Sequence, residues 1–197
     1  MVKEKKVVAK KTAVKKVPAV KRVVETPVEE VKQVEVAEPK REKVTHATFK
    51  NLGKERVIKG SILNPQNGGL HLVLSFANTA GKPESPLYKE FETRWRSVKQ
   101  DASGWYVNKT GAYKLGAVNQ TAVQSDTWVI HCLCQDDDLK VSDVALTECL
   151  KKVVKLAKEE KASVHVGEAL LTAHPKLKDA LREQVLEQGV SVYYYEA

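Results

Sequence analysis

The residues best placed to do chemistry in this sequence stand at the ends of apolar runs. Gly81 and Lys82 follow the run 70–77, and Gly167 follows the run 162–166. A glycine there lets a backbone amide approach an anion closely, because no Cβ intervenes, although glycines after strands also serve simply as turns. Lys82 either neutralises a phosphate or stays solvated on its loop. Gly81-Lys-Pro-Glu-Ser lacks the spacing of a phosphate-binding P-loop. His131, Cys132 and Cys134 carry metal-ligating atoms, but a Cys-x-Cys on a core strand is chiefly packing, so no metal site is expected. His165, mid-strand, reads as a core histidine with its hydrogen bonds met. Trp105 and Tyr106, expected in a loop between the first long helix and a strand at 113, either stack a base or anchor a surface flap.

A second kind of chemistry is electrostatic. The chain of 197 residues carries a net charge of +8, and the excess is concentrated. Residues 1–22 hold nine Lys or Arg against one Glu, namely Lys3, Lys5, Lys6, Lys10, Lys11, Lys15, Lys16, Lys21 and Arg22. Residues 23–43 are slightly acidic, and the remainder is close to neutral. A basic arm on a near-neutral body points to a polyanionic partner, nucleic acid above all. The bland alternative is a solubilising linker or a tether to an acidic protein surface. No aromatic residue interleaves with these lysines, so the arm has nothing with which to stack bases.

The arm, 1–43, is built from Lys, Val, Ala, Glu and Pro, with no Gly and with Pro18, Pro27 and Pro39 interrupting any helix. Such a composition buries too little apolar surface to offset its ordering entropy, so a disordered tail is expected. Deleting 1–43 is then expected to leave the thermal midpoint within a few degrees, the scale of surface changes. A large drop in a melting experiment would mean that the tail packs on the domain. Three cysteines cannot all pair, no apolar run approaches the length of a bilayer span, and no h-region follows the basic start. An Arg-rich, acid-poor mitochondrial presequence is a poor match. An intracellular setting (cytoplasm, nucleus or virion interior) is expected rather than secretion.

The positioning elements lie in residues 44–197. Strands are expected at about 44–50, 55–63 and 70–77, with a turn at 65–69. The run 70–77 is almost continuously apolar, as a central buried strand should be. A helix over 85–98 presents Leu87, Phe91, Trp95 and Val98. Strands at 113–123 and 127–134 precede a long helix at 141–161 with Leu146, Leu150, Val153 and Ala157 inward. A short strand (162–166), a loop, a helix from about Pro175 and a last strand (190–195) complete the chain. Strands alternating with helices at this spacing imply a largely parallel sheet covered on both faces, with ligands beyond the carboxyl ends of the strands.

Five local sequences in this order resemble the macro domain, a module that binds ADP-ribose. They are Arg56-Val-Ile-Lys-Gly-Ser-Ile-Leu63, Leu72-Val-Leu-Ser-Phe-Ala-Asn-Thr-Ala-Gly81, Leu115-Gly-Ala-Val-Asn-Gln-Thr-Ala122 with Trp128-Val-Ile-His-Cys132, Ala162-Ser-Val-His-Val-Gly167, and Gly189-Val-Ser-Val-Tyr-Tyr-Tyr-Glu196. The helix bearing Tyr88, Phe91 and Trp95 is most similar to the compact branch typified by terminal ADP-ribose protein glycohydrolase. The resemblance implies a three-layer α/β/α fold with a mixed, largely parallel sheet. It implies a ligand site at Ser61, Asn78, Gly81, Lys82 and Gly167. Ser61 stands where the family has an aspartate accepting a hydrogen bond from the adenine amino group. Asn78 matches an asparagine that contacts the distal ribose.

The binding loops depart from the family pattern. The first has one glycine and two prolines, and the second reads Gly167-Glu-Ala-Leu-Leu-Thr-Ala-His-Pro175, where Glu168 would repel a diphosphate. The family's catalytic aspartates have no counterpart, so no catalytic residue and no cofactor is assigned. The expected function is a divergent, non-catalytic binding or scaffolding module tethered to a polyanion, its ligand possibility being ADP-ribose or a related nucleotide. The alternatives are an active ADP-ribose binder or hydrolase, and a structural part of a nucleoprotein assembly with a vestigial cleft.

Overall fold

The computed structural model describes residues 52–83, 86–109 and 113–196. The basic tail, the strand expected at 44–50 and Glu84 lie outside the described residues. Within them, six strands form one sheet: β1 (Glu55–Lys59), β2 (His71–Asn78), β3 (Val118–Gln124), β4 (Thr127–Gln135), β5 (Ser163–Gly167) and β6 (Val192–Glu196). Their order is β1-β6-β5-β2-β4-β3. Every pairing is parallel except the β3–β4 hairpin. Mixed and largely parallel, the sheet matches the expected class.

Two-residue periodicity sorts the central strands. Leu72, Leu74 and Phe76 of β2 enter one core with Ile130, Cys132 and Cys134 of β4, and with Val164, Val166, Val192 and Tyr194. This core is covered by α3 (Asp143–Glu159), through Leu146, Leu150, Val153 and Ala157, and by α5 (Leu177–Gln184), through Leu177 and Leu181. Ser142 caps α3, its hydroxyl accepting from the Ala145 amide. On the other face, Val73, Val129, Tyr193 and Tyr195 meet Leu87, Tyr88 and Phe91 of α1 (Pro86–Arg94), Trp95, and Val98 and Ala102 of α2 (Ser97–Asn108). Each fully buried Leu, Val or Phe here contributes about 1.5–3 kcal/mol of transfer free energy. All of β2 is buried, as its unbroken apolar run implied.

Five expectations need correction. The helix expected over 85–98 is two helices, which break at Trp95 and Arg96. Trp105 and Tyr106 are helical, in α2, rather than in a loop. Val98, Ala102 and Trp105 recur at four- and three-residue spacing and form the buried stripe that holds α2 down. The segment after Gly167, expected as a loop, is helix α4 (Glu168–Ala173), whose Leu170 is buried. β1 ends at Lys59, where Gly60 adopts φ 140°, and β3 begins only at Val118.

Candidate functional site

Beyond the carboxyl ends of β1, β5 and β6 lies a cavity of about 870 Å³. Gly60, Ser61, Ile62 and Leu63 line it after β1, Glu90 and Thr93 from α1, Gly167 to Ala169 with Thr172 and Ala173 around α4, and Tyr195 from β6. The first turn beyond β1 is self-satisfied: the Ser61 hydroxyl accepts from the Leu63 amide at 3.2 Å, and the Ser61 carbonyl accepts from the Asn64 amide at 3.0 Å. Burial, and then the Glu168 charge, raise the Glu90 carboxyl above its usual range. Among the described residues, no lysine or arginine lines this chamber.

Tyr195 is fixed from behind. Its hydroxyl accepts from the Gln66 amide at 3.0 Å and shares a hydrogen bond of 2.9 Å with His165 Nδ1. The other His165 nitrogen meets the Ser163 hydroxyl at 2.7 Å, and the ring stacks on Tyr193. Burial, with a smaller push from His71, lowers His165 to about 3. His165 is therefore a neutral core histidine with both nitrogens engaged.

Asn78, Gly81 and Lys82 stand apart, around a space of about 10 Å³, no more than one water's worth. The Asn78 side chain is 3% exposed and turns back on its own loop. Its oxygen accepts from the Lys82 amide at 3.1 Å, and its nitrogen donates to the Lys82 carbonyl. Tyr113 donates its hydroxyl to the Asn78 carbonyl. The Tyr106 ring lies where a Gly81 side chain would project, 2.0 Å from an ideal Cβ position to Tyr106 Cγ. Gly81, at φ 69°, is thus required both for its turn and for Tyr106 to sit upon it. Tyr113 braces this plug, edge-on to Tyr106 at 5.2 Å and to Trp105 at 4.7 Å.

The five residues nominated from sequence accordingly divide. Ser61 and Gly167 line the open chamber, whereas Asn78, Gly81 and Lys82 line the closed end. Sequence reasoning missed Glu90, Thr93, Thr172 and Tyr195. Glu90 follows the buried Leu87 by three residues on α1, a spacing that puts both on one flank of the helix. The remaining candidate cluster is split by the sheet. Cys132 and Cys134 enter the α3 core, while His131, of the opposite parity on the strand, bonds Tyr88 at 2.9 Å and Thr121 at 3.2 Å on the other side. Burial lowers His131 to about 4. The bond with Cys149, then burial, push the Cys132 thiol well up, and burial does the same for Cys134. Among the described residues, no group of three or more His, Cys, Asp or Glu is placed to hold a metal ion, and no helix is long and apolar enough to cross a membrane.

No protein-family model and no curated protein matches this chain. Solved structures do. The macrodomain protein of Streptomyces coelicolor superposes with a TM-score of 0.67 at 20% identity, covering 73% of this chain and 99% of that one. The macrodomain of Thermus aquaticus DarG gives a TM-score of 0.57 at 17% identity, covering 74% of this chain and 99% of that one. Thermosipho africanus DarTG, solved in complex with ADP-ribose, gives 0.51 at 14% identity, over 64% of this chain and 38% of that one. This chain has the macrodomain fold.

Proposed function

We propose that the domain is a non-catalytic binding module in which only one end of the macrodomain cleft receives a ligand. The observation that carries this reading is the plug. The resemblance assigns Asn78 to a distal ribose, yet its amide is spent on the Lys82 backbone and Tyr106 covers Gly81. The amides that would cradle a diphosphate are replaced on one side by this packed loop and on the other by α4, which begins with Glu168. A scaffold for acyl or glycosyl hydrolysis needs preorganised donors beside a held water. The closed end has room for neither. The basic tail is assigned the separate task of holding the module at nucleic acid or another polyanion, on its charge alone.

The fold likeness to a protein solved with ADP-ribose makes that nucleotide the discriminating probe. In calorimetric titration of the full chain, ADP-ribose is expected to bind weakly or not at all, and ADP-ribosylated protein to release nothing above background. Tyr106→Ala uncovers Gly81 and is expected to improve ADP-ribose affinity by about 0.5–1.5 kcal/mol for each amide made available. Tight binding or turnover by the unaltered chain, lost in Asn78→Ala, would replace the module reading with an active ADP-ribose site.

A further inference from the structure

The outer edge of β1 is an unpaired strand edge whose sequence is complementary to itself. Among the described residues, β1 pairs with β6 alone and ends the sheet. The bonds to β6 decide which residues face outward. The Val192 amide donates to the Lys54 carbonyl, and the Gly60 amide to the Glu196 carbonyl, each at 2.8 Å. In a parallel pair alternate residues turn both backbone groups to one neighbour, so Arg56 and Ile58 face β6. The N–H and C=O groups of Glu55, Val57 and Lys59 therefore point away from the sheet. Their side chains lie on the α5 face, where Glu55 pairs with Arg182 at 3.3 Å. Val57, at the centre of the strand, is 52% exposed there.

We propose that β1 is a docking edge for β1 of a second copy of this chain, the two strands running antiparallel about Val57. Charge fixes the register. A two-fold axis at Val57 sets Val57 against its own copy, and on either side of it Glu55 faces Lys59 of the other chain. These are the residues whose backbone groups face outward, so each facing pair exchanges its N–H and C=O bonds. Charged residues on an edge strand commonly block such pairing. Here they bring unlike charges to directly facing positions, which stabilises an antiparallel pair instead. A slip of two residues loses both ion pairs and sets a charge against valine. On the opposite face the Arg56 stem lies beside the half-buried Ile58 of the second copy and covers it further. A contact one strand long belongs to the weak, reversible class of interface, below about 1,200 Å². A dimer also carries two basic arms, so the tail's proposed hold on a polyanion gains by avidity.

Analytical ultracentrifugation of the full chain over about 5 to 500 µM, a range suited to a weak interface, measures the association. A reversible monomer–dimer equilibrium is expected. Val57→Pro removes the central outward N–H and no bond that β6 uses, so the monomer keeps its fold while association falls at least about tenfold. Lys59→Glu alone sets glutamate against glutamate, and Glu55→Lys alone sets lysine against lysine. Each is expected to weaken the dimer about fivefold or more. Combining Glu55→Lys with Lys59→Glu exchanges the charges and is expected to restore association to within about threefold of the parent. An equimolar mixture of the two single variants should form the mixed dimer in preference to either pure one. Circular dichroism melts report the fold of every variant, and the charge variants carry the test even where proline disturbs the strand. A chain that stays monomeric throughout, as it would if another segment of the same chain covers this edge, overturns the proposal. So does a dimer indifferent to Val57→Pro, or a pair of single charge variants that their combination does not rescue.

Discussion

Acidification from pH 7 to pH 4 is expected to remove several kcal/mol of folding free energy from this domain. His131 and His165 are buried and neutral, held down to about 4 and about 3 by burial. In the unfolded chain both return to about 6.5. Between those values the unfolded state binds protons that the folded state refuses, so stability rises with pH across the window and is lost as pH falls. Each pH unit below about 6.5 costs about 1.4 kcal/mol per histidine until the folded value is reached. For His131 alone that amounts to about 3 kcal/mol by pH 4. Glu90 acts in the opposite sense, its raised carboxyl making protonation easier in the folded state, but its exposure keeps that contribution small. Urea unfolding at pH 7, 6, 5 and 4 measures the slope. His131→Gln should lower stability at pH 7, through lost bonds to Tyr88 and Thr121, while flattening the dependence below pH 6. A variant with the parental slope would show that His131 is not excluded from protonation by the fold.

The second large effect concerns salt. If residues 3–22 neutralise phosphates, nucleic-acid affinity should fall steeply as salt rises, by about −0.9 in log–log slope for each phosphate contacted on duplex DNA. Nine basic residues then allow a loss on the order of 10³ to 10⁵ in affinity between 50 and 200 mM salt. Filter binding or anisotropy with a random-sequence duplex, repeated on a chain lacking 1–43, measures it. The truncated chain should bind weakly with a shallow slope. An unchanged slope would move the contact surface onto the folded domain.

Much of the fold follows from local chemistry. The buried strand at 71–78, the capped helix after Ser142 and the paired faces of β4 are encoded in runs, caps and alternation that short-range physics reads directly. Period-two alternation on β4 also means that His131 and the cysteines at 132 and 134 cannot share a site, whatever the rest of the fold. Helix α4 was legible as well. Glu168-Ala-Leu-Leu-Thr-Ala consists mostly of strong helix formers without Gly or Pro, although a loop was expected there. Helix α2 was obscured by Ser103 and Gly104, which weaken its propensity, while the stripe Val98, Ala102 and Trp105 that secures it gains its energy only from burial.

The cleft is different. Chain order set Ser61, Asn78, Gly81, Lys82 and Gly167 at the ends of strands, and that much needed no structure. Which of them face open space depended on Tyr106 and Tyr113, residues from a helix and a loop that arrive from 25 or more positions away. The meeting of Glu90 with Glu168 likewise joins residues with no local relation. A sequence specifies such pairs only through the packing of whole elements: buried area fixes where α1 and α4 stand, and the two carboxylates are carried along with them. Local propensities therefore determined that there would be a sheet with loops at its carboxyl end. The tertiary packing decided that one end of the cleft is closed and that the other is open, because long-range burial outweighs anything a loop's own residues prefer.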